Sequence, residues 1–375
     1  SEKAGSRVLA CFLRHEMIRE TIFPPQYDRI MDLLRPHQAY LVGGAVRDFL
    51  LGRTIYDLDF ALPKDTIKVA KMLADQLEGG FYVLDPERDT CRVILKDQTG
   101  QRLVVDFTLF QGNSIEEDLA ARDFTITSMA LGLEEDARII DPFHGAQDLK
   151  DGLIRATSEN SLEDDPVRCL RAVRLAAQLG FQILSETKQQ IRDCQDHLFE
   201  ISAERKRDEF FRILAGPNQS AAILSLQILG LYPYILPGEF SKRQSARLRN
   251  LETLWALFLE DHDQERAADW AKGNLVHRLG RYREEVRDYL NRELVPGRTI
   301  YQLTFIISIL SGFSGGENDL IFQQFTDRVP LSNQEVSFLG QGIAASTDWL
   351  QISQREKADR SVDVYRFFGQ YGQAG

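Results

Sequence analysis

The sequence predicts a mixed α/β domain followed by an all-helical remainder. Three observations carry this reading. Over residues 38–156, short apolar runs alternate with amphipathic helical stretches. From about Leu162 onward the strand signals vanish, and apolar residues recur at helical spacing, as in CLRAVRLAAQLGF and FFRILAG. Breaks at Gly216-Pro217, Pro237-Gly238 and Pro296-Gly297 then divide the helical part. A chain of 375 residues suffices for two or three domains with an ample core.

The elements follow in order. Residues 1–37 read as a helical extension that breaks at Arg35-Pro36. Strands are expected over 39–42, 57–61, 80–84, 91–95, 103–109, 129–132 and 138–140. Helices are expected over 46–51, 64–77 and 115–121. No internal repeat or low-complexity linker interrupts the pattern.

Composition excludes several classes. Hydrophobic residues make up 43% and charged residues 27%, which is globular rather than disordered. No apolar run approaches the ~18 residues of a membrane span. The charged stretch SEKAGSRVLACFLRHE reads as no secretion signal. Cys11, Cys91, Cys169 and Cys194 are dispersed without a CxxC pair, as expected of reduced thiols in the cytoplasm. A net charge of −11 argues against a nucleic-acid partner, although phosphate contacts need only a local basic face. Basic clusters occur at Arg205-Lys206-Arg207, at Lys242, Arg243, Arg247 and Arg249, and at Arg278, Arg281, Arg283 and Arg287. Each is either such a face or the solvated side of a helix.

The richest stretch is LVGGAVRDFLLGRTIYDLDF, from Leu41 to Phe60. A strand runs into Gly43-Gly44, Arg47-Asp48 follows in a helix, and a second strand carries Asp57 and Asp59. Side chains two apart on a strand share a face. Paired carboxylates of this kind hold two Mg²⁺ ions roughly 4 Å apart in phosphoryl-transfer sites. Glycines let a triphosphate approach the backbone closely. The alternative is an ordinary strand with a polar face beside a glycine turn. In LVVDFTLF, alternation puts Val104, Asp106 and Thr108 on one face. A neighbouring strand would bring Asp106 beside Asp57 and Asp59 as a third carboxylate; the alternative is an exposed strand residue.

Two later segments add candidates. In EEDLAARDFTITSMA, Arg122 and Asp123 interrupt an amphipathic pattern, so Arg122 is either near a nucleotide or in a surface ion pair. In DDPVRCLRAVRLAAQLGF, Asp165-Pro166 is a standard helix start. Asp165 and Arg168, three apart, also meet on one helix face. Such a pair matches the donor and acceptor pattern of cytosine and adenine and opposes that of guanine and uracil. Arg171 and Arg174 continue the ladder toward phosphate. His262-Asp263 is a lone HD dipeptide in a charged stretch and reads as surface.

Taken together and in this order, the segments resemble the class II tRNA nucleotidyltransferase and bacterial poly(A) polymerase family. The GGxVRD…DxD motif appears as Gly43-Gly44-Ala45-Val46-Arg47-Asp48 through Asp57 and Asp59, and the RRDFTxNA motif as Ala121 through Ser128. The neck motif runs from Asp164 to Phe181, and an ERxxxE motif runs from Glu204-Arg205 to Glu209. The resemblance covers residues 38–215. It implies a polymerase-β-like head (38–156), a helical neck for base recognition (157–215), and a helical body and tail (216–375) that hold a tRNA acceptor arm. It also implies transfer of CMP or AMP from CTP or ATP to a tRNA 3′ hydroxyl without a template. Two Mg²⁺ ions would sit on Asp57 and Asp59, with Asp106 as the third carboxylate. Gly43, Gly44, Arg47, Arg122, Asp123, Asp165, Arg168, Arg171 and Arg174 would bind the nucleotide. A cytoplasmic monomer, with no DNA or membrane partner, is expected.

Departures from the pattern are Ala121 for Arg, Thr127 for Asn and Asp164 for Glu. One departure is a length. Family members that add a full CCA carry a longer flexible segment, a lever in the switch from C to A, between the third-carboxylate strand and the next helix. Here only TLFQGNSIE, residues 108–116, remains. That shortness resembles CC-adding enzymes. Full CCA addition, A or poly(A) addition, and a non-catalytic RNA-binding role are the alternatives.

Overall fold

The computed structural model describes residues 22–24, 26–96, 100, 102–134, 138–259, 282–311 and 318–353. Cys11, Arg278, Arg281 and His262-Asp263 lie outside the described residues. The chain divides into two compact units. One comprises the residues up to Arg168 together with Phe181–Gln190; the other comprises Cys169–Gly180 and the chain from Ile191 on.

The first unit is built on a seven-stranded sheet. Its strands are β1 (Tyr40–Val42), β2 (Asp57–Leu62), β3 (Gly80–Asp85), β4 (Thr90–Lys96), β5 (Arg102–Leu109), β6 (Ala130–Gly132) and β7 (Ile139–Ile140). They lie in the order β3-β4-β5-β2-β1-β6-β7. All neighbours are antiparallel except β2 and β5. All seven expected strands are present, with ends shifted by a residue or so. Before residue 165 the described helices of this unit are α1 (Tyr27–Leu34), α2 (Gly44–Leu50), α3 (Thr66–Gln76), α4 (Ile115–Ala120), α5 (Gly145–Asp151) and α6 (Ser161–Asp164).

Alternation decides the two faces of the sheet. In β4 and β5, Cys91, Val93, Leu95, Leu103, Val105 and Phe107 are buried, while Arg92, Val104 and Asp106 are only partly so. The apolar face joins Leu58, Phe60, Val69 and Leu73 in the main core. The opposite face receives α4: Ile115 and Leu119 pack on Val42, Ala61 and Ala130. Burial of these side chains supplies the main drive for holding the two helical layers on the sheet.

Beyond the sheet, α7 (Val167–Leu179) leads from the first unit into the second. The helices α8 (Ser185–Cys194), α9 (Ala203–Ala215), α10 (Gln219–Ile228), α11 (Lys242–Leu259), α12 (Arg283–Asn291), α13 (Ile300–Leu310), α14 (Asn318–Arg328) and α15 (Asn333–Ser353) follow. Within the second unit, Phe210 packs edge-on to Phe325 with centroids 6.4 Å apart, and Trp255 stacks on Tyr301 at 4.6 Å.

The expectation of helix alone after Leu162 needs correction. Strand β8 (Leu153–Ile154) pairs in parallel with β9 (Gln182–Ile183), and β10 (Glu293–Val295) forms a hairpin with β11 (Arg298–Thr299). Pro296-Gly297 is therefore a hairpin turn, with Gly297 at φ 76°, and not a break between helices. Strands of two or three residues are too short to reveal a period of two. Helix α5 also lacks an expectation: its GAQDLKD carries only one large apolar residue.

Candidate active site

The site begins with strand register. In the parallel β2–β5 pair, Asp57 lies level with Val104, and Asp59 with Asp106. Asp59 and Asp106 are thus cross-strand neighbours on one face, and Asp57 lies one pleat along. The register continues outward: Asp106 faces Arg92 in β4, and Arg92 faces Tyr82 in β3. A single row, Tyr82–Arg92–Asp106–Asp59, crosses four strands.

Arg92 and Asp106 form a two-point pair. Nε donates to Oδ1 at 2.7 Å and Nη2 donates to Oδ2 at 2.8 Å. Both oxygens of the expected third carboxylate are therefore engaged. Arg92 had no place among the sequence candidates, because a charged residue on the polar face of an alternating strand looks like any solvated one. Only the β4–β5 register puts it opposite Asp106.

Glycine geometry closes the other side. Gly43 lies between β1 and α2 at φ 70°, ψ −133°, a region glycine occupies readily and other residues rarely. A Cβ there would stand 3.2 Å from Arg122 Nη1 and 3.7 Å from Asp59 Oδ2. Gly43, Asp59 and Arg122 thus meet at one point. Gly44 opens α2 against the Arg47 guanidinium. Arg47 itself is buried and paired with Asp48 at 2.7 and 2.9 Å.

Electrostatics follows from this crowding. Burial, with Asp106 nearby, pushes the Asp59 carboxyl up to about 6, against the pull of Arg122. Burial and Asp106 raise Asp57 as well. Among the described residues no three His, Cys, Asp or Glu side chains converge closely enough to hold an ion. The donor set nevertheless fits Mg²⁺, which is held by hard oxygens from one or two carboxylates plus substrate phosphates. Asp57 and Asp59 supply those oxygens, and a divalent cation would offset both the burial and the repulsion that raise them.

The remaining candidates occupy defined places. Arg122 pairs with buried Asp118, and Asp118 also accepts the Gln111 N–H at 3.0 Å. Asp123 is buried; its Oδ1 accepts from Phe124 N–H and from the Thr127 hydroxyl at 2.6 Å. Thr127 thus supplies a donor at the position where the motif has Asn. Through Oδ1 the Asp123 carboxylate shapes the turn that follows α4.

Helix α7 is described from Val167, one residue later than Asp165-Pro166 predicts, within the usual spread of helix ends. Arg168 fans over the neighbouring main chain. Nη2 donates to Ala121 O at 2.8 Å, and Nη1 donates to Ser161 O and Oγ at 3.0 Å each. The bond to residue 121 engages its carbonyl and not its side chain. Arg171 and Arg174 belong to the second unit, where Nε of each donates to buried Glu209, at 3.4 and 2.9 Å. Both are joined to the last residue of the ERxxxE motif.

Between β5 and α4 the chain is short and pinned. Phe110 N–H donates to Leu62 O at 2.9 Å, Asn113 N–H to Glu117 at 2.7 Å, and Ser114 caps α4. Gly112, at φ 111°, has no room for a side chain beside Glu117.

Comparison with known proteins places this geometry. Residues 39–155 match the poly(A) polymerase head domain, and residues 180–240 match the domain described as "Probable RNA and SrmB- binding site of polymerase A". A CC-adding tRNA nucleotidyltransferase of Synechocystis is 40% identical over 51% of this chain and 45% of its own length. An A-adding enzyme of Deinococcus radiodurans is 35% identical over 68% of this chain and 59% of its own. A CCA-adding enzyme of Geobacillus thermodenitrificans is 32% identical over 76% and 71%. The chain spans 45%, 59% and 57% of three curated CC-adding relatives. Among solved structures, the Thermotoga maritima CCA-adding enzyme complexed with tRNA matches at TM-score 0.64 and 22% identity, covering 91% of this chain and 75% of that one. A CCA-adding enzyme with ATP matches at 0.67 and 23%, covering 94% and 78%. At these identities the likeness shows the fold.

The fold is thus that of a nucleotidyltransferase head followed by a helical body. The chain belongs to the tRNA nucleotidyltransferase and poly(A) polymerase family.

Proposed function

We propose that this protein transfers CMP from CTP to the 3′ hydroxyl of tRNA, without a nucleic-acid template, and stops after two additions. The observation that carries the transfer reaction is the register that sets Asp59 level with Asp106, one pleat from Asp57 and against Gly43. Asp57 and Asp59 would hold two Mg²⁺ ions, which supply Lewis-acid stabilisation of the phosphates. Gly43 and Gly44 leave the backbone open to the triphosphate. Arg122, steadied by Asp118, adds positive charge beside it.

Base choice falls to Asp165 and Arg168. Anchored on main-chain carbonyls, the Arg168 guanidinium has a fixed plane from which to address a base edge. Arg171 and Arg174 contribute through the Glu209 cluster, which holds the rest of α7 firm. The body and tail would grip the acceptor arm. The limit to two C additions rests on the connection at residues 110–114, too short and too well hydrogen-bonded to act as a lever.

The test is an incorporation assay on three tRNA transcripts, ending before CCA, after C and after CC, each with CTP, ATP or both. Two C additions followed by a halt in the presence of ATP is the expected result. Addition of A to the CC-ended transcript would overturn the CC-only reading. No addition to any transcript would overturn the transferase reading.

A further inference from the structure

One charged side chain in the row across the sheet, Arg92, stands outside the proposed transfer chemistry. Arg92 meets both oxygens of Asp106, and the Arg92 side chain is still 41% exposed against 24% for Asp106. Cys91 and Val93, buried on either side, fix its backbone, while the part-exposed guanidinium is held by Asp106 and has solvent beside it into which to swing. Around it lie Asp57 and Asp59, whose charges act on Arg92 as Asp106 does. Arg122 is the other guanidinium at this point, and it is tied to Asp118. Three carboxylates against one movable and one tethered cation leave the cluster short of positive charge.

Building on the two-metal reading, we infer that Arg92 is an exchangeable counter-ion of the active site. Without a divalent ion it occupies Asp106, neutralises one of three crowded carboxylates and keeps that carboxylate aimed along the row. When a cation claims the carboxylates, Arg92 gives up Asp106 and turns to the triphosphate, where the leaving pyrophosphate gathers negative charge. One guanidinium thus serves two anions in succession. The planar two-point fork suits both carboxylate and phosphate, as a lysine ammonium does not.

Metal affinity and nucleotide affinity should then move in opposite directions when Arg92 is replaced. With Arg92→Gln, the ion-free site loses a competing cation, so Mn²⁺ should bind more tightly, by about two- to fivefold, the factor a partly screened charge pair is worth. The same variant should raise the KM for CTP about tenfold, because the phosphates lose a two-point partner. Arg92→Lys should keep Mn²⁺ affinity near wild type and still raise KM. Mn²⁺ binding is measured by electron paramagnetic resonance on the full chain without nucleotide, and KM by incorporation. Far-ultraviolet circular dichroism of each variant checks folding.

A purely structural Arg92 would weaken both properties together. Mn²⁺ binding that is unchanged or weaker in Arg92→Gln, while still abolished by Asp59→Asn, would overturn the counter-ion role and leave the metal assignment standing. Mn²⁺ binding indifferent to Asp59→Asn would overturn the metal assignment and this inference with it. Should Arg92→Gln fail to fold, Arg92→Lys decides: a KM equal to wild type overturns the proposal.

Discussion

Arg92 and Asp106 face each other across β4 and β5, joined by two bonds of 2.7 and 2.8 Å, and through Asp106 the pair abuts Asp59 on β2. The carboxylate end of the sheet is therefore a charged row rather than three independent acids. Burial and the neighbouring Asp106 both hold the Asp57 and Asp59 carboxyls up, and such crowding is typical of sites that bind cations or tune proton affinity.

Asp59 gives this row a pH signature. Its carboxyl is held up at about 6 rather than 3.8, so the folded chain binds the proton more tightly than the unfolded chain does. The stabilisation is complete below the unfolded value and is lost as pH rises through about 6. In chelator, the melting temperature of the wild type should fall between about pH 4 and 6.5, and Asp59→Asn should flatten that part of the slope. An equal slope in both proteins would show that Asp59 is not the group responsible. The same substitution should abolish nucleotide transfer while leaving the circular dichroism spectrum intact.

Gly43→Ala tests the close approach at the turn. Alanine is strained at φ 70°, ψ −133°, and its Cβ would press on Arg122 at 3.2 Å. A strained backbone of this sort costs about 1–3 kcal/mol. We expect a lower melting temperature and at least about a tenfold loss of kcat/KM, since Arg122 and Asp59 both border the turn. Unchanged turnover would place the substrate elsewhere.

Arg168→Ala removes a guanidinium that spans Ala121 and Ser161. Selectivity between CTP and ATP should relax more than overall turnover falls, as measured by competition between the two nucleotides. Arg168→Lys should not restore selectivity, because an ammonium lacks the planar fork. A selectivity ratio equal to wild type in Arg168→Ala would count against a base-reading role.

Glu209→Ala leaves Arg171, Arg174 and Arg212 without their shared carboxylate, with Glu209 only 2% exposed and Arg174 buried enough for its pKa to be lowered. Breaking a buried ion pair by removing one partner typically costs about 3–5 kcal/mol. Chemical denaturation should show a loss of that order, and Glu209→Gln, which keeps the acceptor oxygen, a smaller one. A neutral Glu209→Ala would show that the cluster does not hold this part of the chain together.

The sequence by itself determined what depends on local order. Alternation in DLDF put Asp57 and Asp59 on one face, and alternation in LVVDFTLF put Asp106 on the polar side, because the strand period is fixed by backbone geometry. The glycine turn and the short stretch after Asp106 were equally legible. Tertiary structure alone decided the partners. Arg92 lies 14 residues from Asp106, Arg168 lies 47 from Ala121, and Glu209 lies 35 from Arg174. Which strand lies beside which, and in what register, follows from packing of distant segments into one core, and no local period encodes it. For the same reason nothing along the helix that carries Arg171 and Arg174 announces that both pair with a carboxylate from another helix. The short strands that pair Leu153–Ile154 with Gln182–Ile183 exist only because the fold brings two brief segments together.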